Sequence, residues 1–364
     1  MIKNANRINQ LPTYVPGKPI EELKRELGIE SPIKLASNEN PLGPSPLALK
    51  KMQSMIKNVA LYPDGDSYSL KRKICMIENV LPNQIIIGNG SNEVLELIAH
   101  SYLNKDDEAI MGEYCFIVYP IVTTLSEGKI IRSKMPDLTH SVDNILALIT
   151  EKTKIIFIAN PNNPTGTMIS IDEIERLLEG VKSNILVVID EAYCEYVKEN
   201  QRLNVESMVN KWSNLVILKT FSKIYGLAGL RIGYGISNDK IISNIQKARE
   251  PFNVNLVAQE AAEAALDDKE HIKNSLDLNN VGILFLKNEL TKMGIKTYPS
   301  YANFLLIDFG KPSKNIYEEL LKKGVIVRQL DNYGLLNCLR VTVGKESENK
   351  FFINSLKEVL NINR

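Results

Sequence analysis

Residues 184–193 read NILVVIDEAY, an apolar run that ends directly on two carboxylates. Val and Ile favour strands, and a run of this length bounded by polar residues is typical of a strand buried on both faces. A carboxylate at the end of such a strand is costly to bury unless a partner compensates its charge. The stretch therefore predicts a buried strand. Its terminal acid, Asp190, could face a buried cation, a magnesium ion or the start of a helix.

Similar apolar runs occur on both sides of this stretch. Together with it they predict strands at 84–87, 108–111, 129–132, 154–159, 184–189, 214–218 and 231–236. Amphipathic stretches at 91–103 and 170–178 lie between them, and Ser170 with Glu173 forms a capping-box pattern. Strands that alternate with helices predict an α/β domain with a mostly parallel seven-stranded sheet, covered on both faces.

Beyond residue 239 the pattern changes. Helix-period residues and apolar runs predict helices at 240–249, 256–266, 279–293, 313–322 and 347–360, and strands at 303–308, 325–328 and 339–343. This is a smaller α+β unit. We expect an N-terminal arm (1–40) that joins the small domain, a large domain (41–265) and a small C-terminal domain (266–364).

Composition excludes several classes of function. The 364 residues are 44% hydrophobic and 24% charged, which is usual for a globular protein. A net charge of +1 gives no electrostatic reason to expect nucleic acid or an anionic membrane as partner. The four cysteines and three histidines are scattered, so neither a disulfide framework nor a metal site is expected. Without an apolar leader or spanning segment, the chain is predicted to be cytoplasmic.

Three more predicted strands end on unusual polar residues, and ligands of open parallel sheets bind at such ends. Residues 88–92, GNGSN, open a helix and could bind an anion, although a plain tight turn would have the same pattern. Residues 160–166, NPNNPTG, offer the amide of Asn163 to a ligand oxygen, or form an ordinary loop. Residues 220–231, TFSKIYGLAGLR, place Lys223 in an apolar segment with an arginine nearby. Such a lysine loses its proton easily, as a Schiff-base lysine must.

In this order the motifs resemble those of fold-type I aminotransferases that depend on pyridoxal phosphate (PLP), and among them the histidinol-phosphate aminotransferase family. The resemblance runs from Tyr14 almost to the C-terminus. It rests on YVPGKP (14–19), ASNENPLG (36–43), NPTG (163–166), DEAY (190–193), and Ser222-Lys223 with Arg231.

The resemblance implies the fold, a large PLP-binding domain with a smaller α+β domain, and a role for each residue. Lys223 would hold PLP as a Schiff base and move the substrate proton. Asp190 would pair with the pyridine nitrogen, and Tyr193, the third expected catalytic residue, would bond the ring oxygen together with Asn163. The other expected cofactor contacts are a ring stacked on the pyridine (Phe116) and a set around the phosphate (Ser91, Asn92, Thr220, Ser222, Arg231).

The remaining implied residues concern the subunit partner and the substrates. Tyr62 matches a residue that reaches the phosphate of the neighbouring subunit, which implies a homodimer with shared sites. An amino donor and a 2-oxo acid would bind near Tyr14, Asn38, Arg328 and Arg340.

The reaction implied by the resemblance is transfer of the amino group from L-histidinol phosphate to 2-oxoglutarate. The arm and the segment 329–334 favour this substrate. An aminotransferase for phenylalanine, tyrosine or arogenate remains an alternative, as does a threonine-phosphate decarboxylase. A PLP-binding regulator would need a DNA-binding module, for which the first forty or so residues are too few. A nucleotide-binding domain would need a G-x-G-x-x-G or P-loop pattern at 88–92, and neither occurs there.

Overall fold

The computed structural model describes residues 2–11, 13 and 17–362. The expected substrate residue Tyr14 lies outside this described part. The chain begins with a 3-10 helix (Asn6–Gln10), helix α1 (Ile20–Leu27) and the short strand β1 (Ile33–Lys34). Helices α2 (Pro46–Met55) and α3 (Tyr68–Glu78) follow and lead into the large sheet.

The large sheet contains all seven predicted strands. They are β2 (Ile85–Gly88), β3 (Glu108–Gly112), β4 (Lys129–Ser133), β5 (Thr153–Ala159), β6 (Leu186–Asp190), β7 (Leu215–Thr220) and β8 (Gly233–Ile236). Their spatial order is β2-β8-β7-β6-β5-β3-β4, and only β8 runs antiparallel to its two neighbours. The predicted α/β fold with a mostly parallel sheet is therefore confirmed. Strand β8 begins at Gly233 rather than at residue 231 because Arg231 adopts a left-handed backbone conformation, with φ 53°.

Helices cover both faces of this sheet. They are α4 (Ser91–Tyr102), α5 (Val118–Leu125), α6 (Val142–Ala147), α7 (Ile171–Gly180), α8 (Val205–Lys211), α9 (Asp239–Gln246) and α10 (Leu256–Ala265). Neighbouring residues of β5, Ile156 and Phe157, belong to the two different hydrophobic cores. This alternation explains why the strands are apolar throughout.

The capping box expected at α7 forms only in part. Ser170 accepts a hydrogen bond from the backbone N–H of Glu173, at 3.2 Å. The Glu173 carboxylate, however, accepts from both Nε and Nη2 of Arg176. Because this carboxylate is bound by Arg176, it does not accept the second hydrogen bond of the capping box, from the backbone N–H of Ser170.

The C-terminal part forms the second, smaller unit. It contains α11 (Lys269–Lys292), β9 (Lys296–Thr297), β10 (Phe304–Asp308), α12 (Lys314–Lys322), β11 (Val325–Ile326), β12 (Arg328–Gln329), β13 (Cys338–Thr342) and α13 (Glu346–Val359). An antiparallel sheet has the order β12-β13-β10-β9. Helix α11 begins at Lys269 rather than at residue 279 because Asp268 caps it, accepting from the N–H of His271 at 3.1 Å.

The predicted single strand 325–328 is wrong. The structure divides it into β11, which pairs in parallel with β1, and β12, which pairs antiparallel with β13. An apolar run does not reveal that its hydrogen-bond partner changes halfway. The β1–β11 pairing attaches the N-terminal arm to the small unit, and Leu23, Ala36 and Ile326 form a common buried cluster. The domain boundaries at 40/41 and 265/266 stay predictions. In the described part of the chain, no helix has both the length and the apolar composition needed to cross a membrane.

The turn after β7 is held tightly against the segment that precedes helix α2. Gly226 has φ 69°, and a Cβ atom there would lie 2.0 Å from the backbone oxygen of Gly43. Only glycine fits a backbone contact this close, since a backbone atom cannot swing aside as a side chain can.

We expect Gly226→Ala to lower the free energy of unfolding by about 2–4 kcal/mol, through the left-handed backbone and the clash with Gly43. Gly229→Ala, in the same turn, is the matched control, because nothing lies within 4 Å of its Cβ position. Urea unfolding followed by circular dichroism measures both variants. Equal stability of the two would contradict this account of the turn.

Candidate active site

A cavity of about 280 Å³ lies at the carboxyl ends of the parallel strands. It extends to the arm and to the small sheet. Among its lining residues are most of those expected from the sequence: Asn38, Ser91, Asn92, Phe116, Asn163, Asp190, Tyr193, Thr220, Ser222, Lys223, Arg231, Arg328 and Arg340. The structure thus brings together residues from five separate motifs.

Tyr62 does not lie in this cavity. Its side chain is 81% exposed, and its ring stacks on Phe252 with 4.8 Å between centroids. Its expected role at the phosphate of a neighbouring subunit stays a prediction.

Lys223 lies between the large sheet and the arm. Its Nζ donates to the backbone oxygen of Ser37 at 3.4 Å and lies 5.5 Å from the ring centroid of Tyr193. Burial, reinforced by the nearby Arg340 and Arg231, lowers the pKa of Lys223 to about 8. A substantial fraction of the amine is therefore neutral near physiological pH, and a neutral amine can act as nucleophile or base.

Asp190 ends strand β6 with its carboxylate buried beneath the cavity. It accepts hydrogen bonds from the hydroxyl of Tyr119 at 2.9 Å and from the N–H of Ala192 at 3.1 Å. Burial raises the pKa of Asp190 to about 6, while these two bonds and Lys223 oppose the rise. The carboxylate is thus held in a defined direction and kept available for a cationic ring nitrogen.

Tyr119 is a site residue that sequence reasoning missed. It is fully buried on helix α5, and its ring stacks on Phe157 with 5.0 Å between centroids. Its position three residues after Phe116 was the only signal, because an apolar helix gives no indication that one tyrosine meets the carboxylate of a distant strand. Other lining residues without a predicted role include Glu39, which pairs with Lys34 at 2.7 Å, and Tyr333.

An anion cradle forms where helix α4 begins. Gly90, with φ 77°, precedes Ser91, and a Cβ atom on Gly90 would lie 2.6 Å from Nη2 of Arg231. The guanidinium donates to Ser222 Oγ at 3.3 Å and to the backbone oxygen of Ala228 at 3.0 Å. The free N–H groups of the helix start and the guanidinium therefore face the same small space, which suits a phosphate.

Two arginines from the small sheet complete the cavity. Arg328 and Arg340 are paired across strands β12 and β13. Arg340 donates to Asn163 Oδ1 and, at 2.7 Å, to the backbone oxygen of Ala36. Because Asn163 Oδ1 accepts from Arg340, its Nδ2 group remains to donate to a ligand. No cluster of side chains suited to a metal ion occurs among the residues that the structure describes.

The sequence model of the family described as "Aminotransferase class I and II" matches residues 30–356. The chain belongs to this aminotransferase family. Its members act on amino and 2-oxo acids, which agrees with a cavity that combines a reactive lysine with several arginines.

Individual relatives of this aminotransferase are similar along almost their whole length. A histidinol-phosphate aminotransferase of Caldicellulosiruptor saccharolyticus is 44% identical over 353 residues, which cover 97% of this chain and 99% of that protein. One of Moorella thermoacetica is 43% identical over 359 residues, covering 98% and 93%. The crystal structure of histidinol-phosphate aminotransferase from Sinorhizobium meliloti in complex with pyridoxal-5'-phosphate superposes with a TM-score of 0.92, covering 99% of this chain and 98% of that one. Its 24% sequence identity supports the fold alone, and the expected fold type is confirmed.

Two partly buried lysines, Lys219 at the end of β7 and Lys223 in the cavity, have opposite electrostatic surroundings. Lys219 bonds both carboxylate oxygens of Glu78, at 2.8 and 3.0 Å. Burial alone would lower the pKa of Lys219, but the facing carboxylates of Glu78 and Glu191 raise it above its ordinary value. At Lys223, burial together with Arg340 and Arg231 outweighs the carboxylates of Glu39 and Asp190, and its pKa falls.

We therefore expect Lys223→Met to stabilise the cofactor-free protein at pH 7, by about 2 kcal/mol, because it removes a charge that is costly to bury. The folded protein releases the Lys223 proton near pH 8, whereas an unfolded lysine keeps it to about 10.4. Wild type consequently gains stability between these values, and the advantage of the variant shrinks as the pH rises.

Lys219→Met is the matched control for this prediction. It leaves Glu78 and Glu191 without their cation and should destabilise the protein by about 3 kcal/mol at pH 7. Urea unfolding at pH 7 and pH 10 measures both variants. If the two substitutions were equally destabilising at pH 7, the charge environment assigned to Lys223 would be wrong.

Proposed function

We propose that this chain catalyses the transfer of the amino group of L-histidinol phosphate to 2-oxoglutarate, giving imidazole-acetol phosphate and L-glutamate, as a step of histidine biosynthesis. The observation that carries the proposal is one cavity that holds a lysine of lowered pKa, a buried carboxylate and three arginines. The names of full-length relatives at 43–44% identity support the substrate. A cytoplasmic location stays a prediction.

The residues present fit pyridoxal phosphate as cofactor. The anion cradle at Gly90 suits its phosphate, Asp190 suits its ring nitrogen, and Lys223 suits its aldehyde. Around these, Asn163 and Tyr193 offer donors to the ring oxygen, and Phe116 offers an aromatic face. The phosphate would be held by Ser91, Asn92, Thr220, Ser222 and Arg231.

When bound, pyridoxal phosphate supplies an electron sink for the negative charge that develops at the substrate Cα. The chain supplies the proton transfers. In the first half of the reaction, the neutral amine of Lys223 would take the proton from the substrate Cα and deliver it to the carbon that was the aldehyde of the cofactor. In the second half it would move a proton in the opposite direction, and its pKa near 8 suits both directions near neutral pH. Asp190, directed by Tyr119 and Ala192, holds a positive charge on the ring nitrogen.

The charges of the cavity agree with substrates that carry an extra anion. Arg231 lies in the cradle for the cofactor phosphate, whereas Arg328 and Arg340 lie across the cavity on the small sheet. These two arginines would bind the carboxylates of 2-oxoglutarate and, in the other half of the reaction, the phosphate of histidinol phosphate. Asn38 borders the same side of the cavity.

Purified protein mixed with L-histidinol phosphate should lose the visible absorption of its bound cofactor, and 2-oxoglutarate should restore it. Lys223→Ala should abolish both changes, because no amine then moves the proton. A response to phenylalanine or tyrosine but not to histidinol phosphate would move the substrate to the aromatic class. Release of carbon dioxide from threonine phosphate without a 2-oxo acid would replace aminotransfer by decarboxylation. Failure to take up the cofactor would contradict the proposal altogether.

We further propose a homodimer in which Tyr62 reaches the cavity of the neighbouring subunit. Residues before it in the chain, Ile56, Val59 and Leu61, are all more than 60% exposed, and Tyr62 itself is stacked on Phe252. Such a run of exposed apolar side chains is typical of a surface that a partner covers. A second copy of this chain is the partner that the family resemblance favours.

Leu61→Glu should convert the dimer to a monomer and weaken cofactor retention at least about tenfold, because it buries a charge in the interface. Val281→Glu is the control, since Val281 on α11 is equally exposed, at 69%. Sedimentation velocity and cofactor retention on gel filtration measure both variants. A wild-type monomer, or a Leu61→Glu dimer that retains its cofactor, would contradict the shared site.

A further inference from the structure

Three polar side chains from three parts of the chain meet at one side of the cavity. Asn38 comes from the arm, Thr342 from β13 of the small sheet, and Tyr193 from the loop after β6. The Asn38 Nδ2 group donates to the Tyr193 hydroxyl oxygen at 2.8 Å, and Thr342 Oγ1 donates to Asn38 Oδ1 at 3.1 Å. All three side chains are buried.

The direction of each hydrogen bond in this group follows from the one donor that cannot be reversed. The backbone N–H of Asn38 donates to Thr342 Oγ1 at 2.9 Å, and a backbone N–H only donates. The single proton of the Thr342 hydroxyl is then available for Asn38 Oδ1. With its oxygen bound to Thr342, the Asn38 amide presents its Nδ2 group to Tyr193. The Tyr193 oxygen must therefore accept, and its own proton points elsewhere.

The backbone of Asn38 is fixed as firmly as its side chain. Asn303 Nδ2 donates to the Asn38 backbone oxygen at 3.0 Å. Asn38 has φ 56°, a left-handed conformation that asparagine tolerates better than most residues. The amide consequently has little freedom to leave its place between Thr342 and Tyr193.

We propose that Asn38 and Thr342 are positioning residues that set the direction of the Tyr193 hydroxyl, so that its proton points into the cavity and is donated to the ring oxygen of the cofactor. This inference rests on the proposed function, in which Tyr193 contacts that oxygen. Thr342 does not line the cavity, so it acts only through Asn38 and Tyr193. Because Thr342 belongs to the small sheet and Tyr193 to the loop after strand β6 of the large sheet, the two units jointly determine one proton position.

The electrostatics of Tyr193 agree with this assignment. Burial raises the pKa of Tyr193, while Arg340 and the hydrogen bond from Asn38 oppose the rise. A donor to the tyrosine oxygen makes the hydroxyl a better donor in turn, since chains of hydrogen bonds polarise one another.

The test compares Thr342→Val with Thr342→Ser in the holoenzyme, through the pH midpoint of the visible absorption of the bound cofactor. Valine has the shape of threonine without the hydroxyl, so the Asn38 amide can turn over and accept the Tyr193 proton. The cofactor ring oxygen then loses a donor that stabilises its negative charge, and the midpoint should rise by roughly 0.5–1 pH unit. Thr342→Ser keeps the hydroxyl and should leave the midpoint within about 0.2 unit of wild type.

The same pair is then measured in a Tyr193→Phe background. If Thr342 acts through Tyr193, Thr342→Val has no further effect there, because the hydroxyl that it redirects is gone. An equal shift in both backgrounds would overturn the inference and leave the proposed function untouched. A Tyr193→Phe midpoint equal to that of wild type would instead show that Tyr193 makes no bond to the ring oxygen, and the inference would fall with that assignment.

Asn38→Asp provides a second variant if Thr342→Val does not fold. It has nearly the same volume, but its carboxylate accepts from Tyr193 where the amide donated. The midpoint should again rise in the presence of Tyr193. If the new carboxylate acted only through its charge, it would raise the pH midpoint equally in the Tyr193→Phe background. That result would count against the positioning role.

Discussion

The structure depends on the burial of charged side chains at one edge of a parallel sheet. Asp190, Lys223, Arg231 and Arg340 meet where water is largely excluded, and each alters the proton affinity of its neighbours. The arginines cannot lose their protons, so together with burial they lower the pKa of Lys223, whereas the rise in the pKa of Asp190 comes from burial. Lys223 becomes easier to deprotonate, and Asp190 becomes harder to ionise. The chemistry proposed for this cavity needs the first change, whereas the hydrogen bonds from Tyr119 and Ala192 and the charge of Lys223 limit the second.

Adjacent residues at the end of β6 point in opposite directions. The charges that line the cavity are therefore separate from the ion pairs around Lys219. Asp190 faces the cavity, whereas its neighbour Glu191 lies 3.8 Å from Lys219 on the other side. Lys219 and Lys223 are both partly buried and only four positions apart in the chain, yet their pKa values shift in opposite directions. The difference lies entirely in which charges face each amine, so a single sheet edge contains a stabilising ion pair and a reactive amine without conflict.

Much of the large domain could be predicted from the sequence, because apolar strands covered on both faces leave a strong local pattern. All seven strands of the sheet and the cluster of polar residues at their carboxyl ends follow from that pattern and from the rule that ligands bind there. The division of 325–328 between two sheets could not be predicted, since partner choice is a tertiary property. Tyr119 was missed for the same reason, because its contact with Asp190 joins a helix and a strand that are remote in the chain.

The sequence by itself determined the α/β fold, the lysine, the carboxylate and the glycine-rich turns, because each of these is a local choice of residue at a strand end. Only the tertiary structure decided how the groups act on one another. The lowered pKa of Lys223, the direction of Asp190 and the ordered bonds from Thr342 through Asn38 to Tyr193 all require atoms from separate parts of the chain within about 3–5 Å. Electrostatic and hydrogen-bond energies depend on such distances, and a linear order of residues does not contain them.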